Sequence, residues 1–192
     1  VISQTQTIRN WWGSGVVIPG RGFIMNNAMA DFSAKAGVRT TQGLAYGMAN
    51  AIRPGKTPLS SMSPTIVMKE GKPVLSVGAA GGPRIITSTL QLIINNLDYG
   101  MMMDSAVKHP HMCCLTLNQG LELEEGFSPD TIKLLAAKGH IIKNTTDFGE
   151  LLVMPNGIRN IDGTFFPGGT SRVDGGGGAL TASGTMAIDG LC

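Results

Sequence analysis

Apolar positions change period several times along the chain, and each change marks an element. The opening run VISQTQTI alternates loosely and is rich in Val, Ile and Thr, which predicts a strand over about residues 1–8. Gly13-Ser14-Gly15 reads as a turn, followed by VVIP and GFIM as two short strands around a Pro-Gly-Arg-Gly hairpin. Asn26 to Ser33 is polar, and from Ala34 to Pro64 no period holds, with Gly and Pro throughout. An irregular stretch of that length in a compact domain is usually functional. TIVMKEGKPVLSVG then reads as a hairpin, Thr65 to Lys69 and Val74 to Gly78 around Glu70-Gly71-Lys72. Ile86, Leu90, Ile93 and Leu97 recur at helical spacing, with Pro83 suited to the first turn and Gly100 to the stop. A second helix has Ser128 as N-cap, Pro129 at its first position and Gly139 after its end. HIIKN, ELLVMPNG and GTFFPG read as further antiparallel strands, and the tail from Asp174, with four consecutive glycines, reads as loose. Hairpins plus two helices predict an α+β fold, antiparallel sheet covered by helices, in a single domain over residues 1–192 without internal repeats.

Composition narrows the class. Hydrophobic residues make up 42% of the 192 and charged residues 15%, so the chain is globular. A net charge of +2 with no basic run argues against nucleic acid or an anionic membrane as partner. No apolar run approaches the ~20 residues of a membrane span, and no signal peptide is visible. The chain opens on Val1 and not on Met, which raises the expectation of a processed or truncated chain. Cys113, Cys114 and Cys192 form neither a disulfide framework nor a CxxC pair, and read as buried or incidental thiols. His109 and His111 have no third ligand at useful spacing, so no metal and no cofactor is expected.

Three places carry candidate chemistry. At Gly81-Gly82-Pro83 a strand passes into a helix, where the first N–H groups lack internal partners and stabilise an anion or a developing oxyanion. A plain tight turn fits the same residues, which are neither a P-loop nor GxGxxG. Ser60 and Ser61 stand behind Pro54 and Pro58 in a stiffened loop. No nucleophile motif surrounds them, and paired hydroxyls suit a carboxylate better than attack on a carbonyl. Asp31 offers a fixed negative charge to an ammonium group, or else caps a turn. Thr7 either packs in its strand or supports a nucleophile through a hydrogen bond.

The motifs TQT at 5–7, GSG at 13–15, NN at 26–27, DFS at 31–33, PLSSMSPTIV at 58–67, GG with RIIT at 81–87 and GFSPDTIKLLAAKG at 126–139 together resemble the γ-glutamyltranspeptidases, or glutathione hydrolases. The resemblance implies an N-terminal nucleophile hydrolase with an αββα sandwich, made as a precursor that cleaves itself into large and small subunits. It implies that the new N-terminal Thr of the small subunit attacks the γ-glutamyl amide with its own α-amine as base, and passes the acyl group to water or an amine. This chain is similar to the small subunit, so the partners implied are a large subunit from the same precursor, which supplies an Arg for the donor carboxylate, and a small γ-glutamyl substrate. Bacterial members imply a periplasmic or secreted location.

By that resemblance Thr7 matches the residue that hydrogen-bonds the nucleophile, and Asp31 the acid that grips the substrate α-amino group. Ser60 and Ser61 match the pair holding the α-carboxylate, and Gly81 and Gly82 the oxyanion-hole glycines. The nucleophilic Thr is expected about a dozen residues before Val1. Arg9 stands where many members carry a substrate-binding Asn, and Ala28 where a Gln or Glu is usual. Ala79-Ala80 replace a Ser-Pro, and Thr57 an Arg. Two alternatives to a γ-glutamyl hydrolase remain. One is a related acylase, of cephalosporin acylase or polyglutamate type, because Arg9 and Ala28 suit an acyl group without an α-amine. The other is a non-catalytic relative that only binds.

Overall fold

Glu70 and Gly71 both take positive φ, 50° and 76°, as a two-residue type I′ turn requires. In the computed structural model that turn joins β1 (Thr65–Lys69) to β2 (Lys72–Ala80), antiparallel, with Thr65 opposite Val77 and Val67 opposite Leu75. Residues 1–40, 44–116, 120–143, 153–172, 177–180 and 186–189 are described. They divide into two compact units, Val1–Thr5 with Ser61–Cys192, and Gln6–Ser60.

In the larger unit β2 also pairs with β5 (Met154–Ile161), and β5 with β6 (Thr164–Gly168), giving an antiparallel sheet of order β1-β2-β5-β6. Alternation along β2 sends Leu75 and Val77 to one face, where both are buried. Two helices cover that face: α1 (Ile85–Leu97) and α2 (Met103–Lys108). Leu75, Val77, Leu92, Met103, Ala106 and Val107 form the core between them. Each large apolar side chain fully buried there contributes about 1.5–3 kcal/mol. α2 sits close because Gly168 has no side chain: a Cβ there would lie 2.7 Å from the Met103 carbonyl oxygen and 2.8 Å from the Asp104 nitrogen. Short strands β3 (Met112–Cys113) and β4 (Glu122–Leu123) pair antiparallel.

α3 (Pro129–Ala137) starts as its sequence requires, with the Thr131 N–H donating to Ser128 Oγ at 3.1 Å and Pro129 in the first turn. Gly139 comes after its end at a φ of 91°. β7 (Gly177–Leu180) and β8 (Met186–Asp189) pair antiparallel within the stretch expected to be loose, whose other residues from 174 onward lie outside the described ones.

The smaller unit has little regular structure. The expected hairpin is there in reduced form, with one bridge between Val17 and Ile24 and bonds from Ile18 N–H to Phe23 O and from Met25 N–H to Val16 O. Single turns of 3₁₀ helix run over Ala28–Asp31 and Met48–Asn50. Phe32 and Ser33 are its buried residues among those described.

Three expectations differ from the structure. Residues 1–8 carry no ladder; instead the Ser3 hydroxyl donates to Val77 O at 3.1 Å, so a side chain takes the place of strand pairing. In HIIKN, Ile142 makes one parallel bridge to Leu121 and Asn144 lies outside the described residues. The strand expected from Glu150 begins at Met154, and residues 150–152 lie outside the described ones. Among the described residues no helix is long and apolar enough to cross a membrane.

A buried ionic cluster fastens the end of α2 to β4 and to the chain beyond β6. Arg172 donates to Glu124 through Nε (2.7 Å) and Nη2 (2.5 Å), and to the carbonyls of Val107 and His109. Burial pushes the Glu124 carboxyl up, but hydrogen bonds from Arg172 and the His111 N–H, with the Arg172 charge, outweigh it and leave the pKa below its ordinary value. His111 is 1% exposed, and neither ring nitrogen has a partner among the described residues. Burial first, then the Arg172 charge, lowers its pKa to about 4.

Both the close helix packing and the buried imidazole can be tested by denaturation. Gly168→Ala should push α2 off the sheet and lower stability by about 1–3 kcal/mol, read as a lower denaturation midpoint; an unchanged midpoint would contradict the close approach. For His111, the unfolded chain takes up a proton near pH 6.5 and the folded chain only near about 4. Between those values the unfolded state holds more protons, so stability is complete above the window and falls through it, by about 3 kcal/mol at roughly 1.4 kcal/mol per unit. Denaturation at pH 7 and pH 4.5 should show this slope in the wild type and a shallower one in His111→Leu. Parallel slopes would remove His111 as the cause.

Candidate functional site

Arg9 and Asp31 meet in the smaller unit although 22 positions separate them. Arg9 holds a φ of 73°, which turns its side chain back on the Ala28–Asp31 turn. Its N–H donates to Thr7 Oγ1 at 2.8 Å. Its guanidinium donates from Nε to Asp31 Oδ1 at 2.6 Å, from Nη2 to Ala30 O at 3.2 Å and from Nη1 to Asn10 Oδ1 at 3.2 Å. Thr7, Arg9 and Asp31 are thus one hydrogen-bonded group. Tyr46 stands within electrostatic reach of it: burial raises the phenol pKa, the Asp31 charge raises it further and the Arg9 charge opposes.

Asn50 ties that group to the serine loop. Its side-chain amide donates from Nδ2 to Asp31 O at 2.7 Å and accepts at Oδ1 from the Leu59 N–H at 3.0 Å, immediately before Ser60. Lys56 donates to the carbonyls of Ala49 and Ala51, pinning the same loop from its middle. Ser60 itself is exposed. No motif draws attention to Asn50 in the sequence; its only signal is a polar side chain inside an irregular stretch.

In the larger unit Ser61 and Gly82 come together, the Ser61 hydroxyl donating to Gly82 O at 2.8 Å. Gly81 (φ 135°) and Gly82 (φ 61°) carry β2 into a 3₁₀ turn, Gly82–Arg84, and then directly into α1. The angle at Gly81 is one that residues with a Cβ hardly reach, so glycine is needed there, while that at Gly82 is the left-handed region glycine favours. N–H groups at such a start have no partner one turn back, which is the arrangement that stabilises an oxyanion.

The turn is braced from below. Arg84 reaches Glu122 Oε2 at 2.9 Å, and Lys143 reaches Glu122 Oε1 at 2.8 Å. Burial raises the Glu122 pKa, and the hydrogen bonds and charges of Lys143 and Arg84 outweigh it, leaving the carboxyl below its ordinary value. Thr87 bonds back to Arg84 O at 3.1 Å. Cys113 is buried beside Thr87, Cys114 is exposed, and Cys192 lies outside the described residues. Among the described residues no three His, Cys, Asp or Glu side chains gather as a metal site.

An antiparallel sheet under helices, with a glycine turn passing from a central strand into a helix, defines an α+β fold of the N-terminal nucleophile hydrolase class. The chain belongs to the γ-glutamyltranspeptidase family, whose sequence profile matches residues 1–176. It is 45% identical over 159 residues to the glutathione hydrolase proenzyme of Escherichia coli K12, a match covering 81% of this chain and 27% of that protein. It is 36% identical over 177 residues to the acylase ACY 1 proenzyme of Pseudomonas sp. SE83, covering 91% of this chain and 29% of that protein. Among solved structures, a mutant γ-glutamyltranspeptidase of Helicobacter pylori is similar with a TM-score of 0.80 and 40% identity, covering 90% of this chain and 93% of that one. The chain thus spans under a third of the length of these two curated relatives.

Asn50→Ala in the full-length protein should loosen both the Asp31 turn and the serine loop. With two half-buried partners left unmade, a loss of about 1–3 kcal/mol is expected, read as a lower denaturation midpoint. A midpoint identical to wild type would show that the Asn50 bonds do not hold the loop.

Proposed function

We propose that this chain is the small-subunit portion of a γ-glutamyl amide hydrolase and acyltransferase, acting on donors such as glutathione. The nucleophilic threonine belongs to a stretch of the precursor outside these 192 residues, as does the large subunit. In this reading the threonine hydroxyl attacks the γ-carbonyl, its own α-amine takes the proton, and the amine product leaves with it. Water or a second amine then takes the acyl group. A periplasmic or secreted location is part of the same proposal.

The roles are those that the family resemblance implies. The N–H groups at Gly81 and Gly82 meet the oxyanion of the tetrahedral intermediate, where one such donor is worth about 2.7–4 kcal/mol of barrier. Ser60 offers a hydroxyl donor to the donor's α-carboxylate, and Ser61, whose one O–H donates to Gly82 O here, turns it to the carboxylate when the donor binds. In this reading Asp31 takes the α-amino group, Thr7 supports the nucleophile, and Arg9 acts through its pair with Asp31. The single observation that carries the reading is the bond from the Ser61 hydroxyl to Gly82 O, 2.8 Å, which joins the carboxylate-binding loop to the oxyanion turn. Family membership and the 45% identity to a glutathione hydrolase proenzyme support it.

Expression of the full precursor tests it. Self-cleavage into two chains and release of para-nitroaniline from γ-glutamyl para-nitroanilide are expected. Ser61→Ala should lower kcat/KM roughly tenfold to a hundredfold, the loss of one hydrogen bond to a charged group. A precursor that stays whole and releases no aniline would overturn the proposal.

A further inference from the structure

Asp31 is already occupied. Its Oδ1 accepts from Arg9 Nε at 2.6 Å, and the other two guanidinium nitrogens are held by Ala30 O and Asn10 Oδ1. Each nitrogen of the fork has an acceptor, so the side chain is fixed over the carboxylate rather than passing by it. The two side chains are 24% and 31% exposed, so the pair is partly withdrawn from water and screened less than a surface pair. A guanidinium does not lose its proton in a protein, so this neutralisation is permanent. Ala28, at the start of the same turn, adds no polar atom that could take over from Asp31.

We propose that the Arg9–Asp31 pair sets the acyl specificity of this site, so that it takes glutaryl-type donors, chains with a terminal carboxylate and no α-ammonium, at least as well as γ-glutamyl donors. An α-ammonium arriving at Asp31 meets the Arg9 charge as well as the carboxylate, and the attraction that would select it is cancelled. A glutaryl chain brings no cation to that spot, and its carboxylate is attracted by the same guanidinium. The bond chemistry is unchanged: the acyl carbon passes from amide nitrogen to hydroxyl oxygen, the proton leaves with the amine, and water releases the acid. The inference rests on the acyl-transfer reading above and names the substrate class of that site.

The test compares glutaryl and γ-glutamyl para-nitroanilides on the processed full-length enzyme. Wild type should turn both over, with kcat/KM for the glutaryl compound equal to or above that for the γ-glutamyl one. Arg9→Asn should shift that ratio about tenfold or more toward the γ-glutamyl compound, mainly through KM, while Arg9→Lys, which keeps the charge but not the fork, should shift it less. Inhibition of the wild type needs no variant: glutarate should compete at least as well as L-glutamate. A clear wild-type preference for γ-glutamyl, or a ratio unmoved by Arg9→Asn, would overturn the inference and leave the acyl-transfer reading intact. Turnover of neither anilide would instead overturn the acyl-transfer reading, and this inference with it.

Discussion

The larger unit depends on one backbone constraint: an interior strand must run straight into a helix. β2 lies between β1 and β5, and α1 packs back on it through Leu92 against Leu75 and Val77. The chain has only Gly81 to Arg84 in which to reverse. Two consecutive positive φ values accomplish this, of which the 135° at Gly81 is the one that calls for glycine. Core and candidate chemistry therefore come from the same residues, since the turn that allows the packing also starts a helix with unpartnered N–H groups.

The surroundings of the turn make it rigid. Ser61 holds Gly82 O from one side, while Arg84 is fixed on Glu122, itself shared with Lys143. A buried carboxylate with two cationic partners costs desolvation, and breaking such a set is more damaging than never having made it. In the smaller unit, where Phe32 is the one buried hydrophobic side chain among the described residues, polar side chains do the same work. Asn50 and Lys56 hold loop carbonyls and N–H groups together, and Arg9 closes on Asp31.

Much of this was legible in the sequence, because it rests on local rules. The β1-β2 hairpin and α3 follow from turn residues and a serine cap, and the α+β class follows from their order; α1 forms where its spacing predicts, but on another face, with Ile86, Leu90 and Leu97 exposed and Ile85, Ser88, Thr89, Leu92 and Asn96 buried. α2 was not legible: Met103–Lys108 is short, begins after Met102 with no side-chain cap, and forms because Gly168 and Gly157 leave room for it. The strand expected at residues 1–8 had the right alternation but no ladder partner, which alternation cannot reveal. Among the candidate residues, the glycine turn and serine loop carried motifs. Asn50 and Glu122 did not, since their roles arise from partners far along the chain. In LELEEG, Glu122 and Glu124 are buried because Arg84, Lys143 and Arg172 come to meet them.

The central claim is that the N–H groups at Gly81 and Gly82 receive the negative charge of the acyl intermediate. Trapping a substrate-derived acyl chain on the nucleophile of the processed full-length protein, and solving that structure crystallographically, tests it most directly. The account predicts the acyl oxygen at about 2.7–3.1 Å from those two nitrogens. An acyl oxygen pointing to solvent, or to other donors with the glycine turn out of reach, would contradict it.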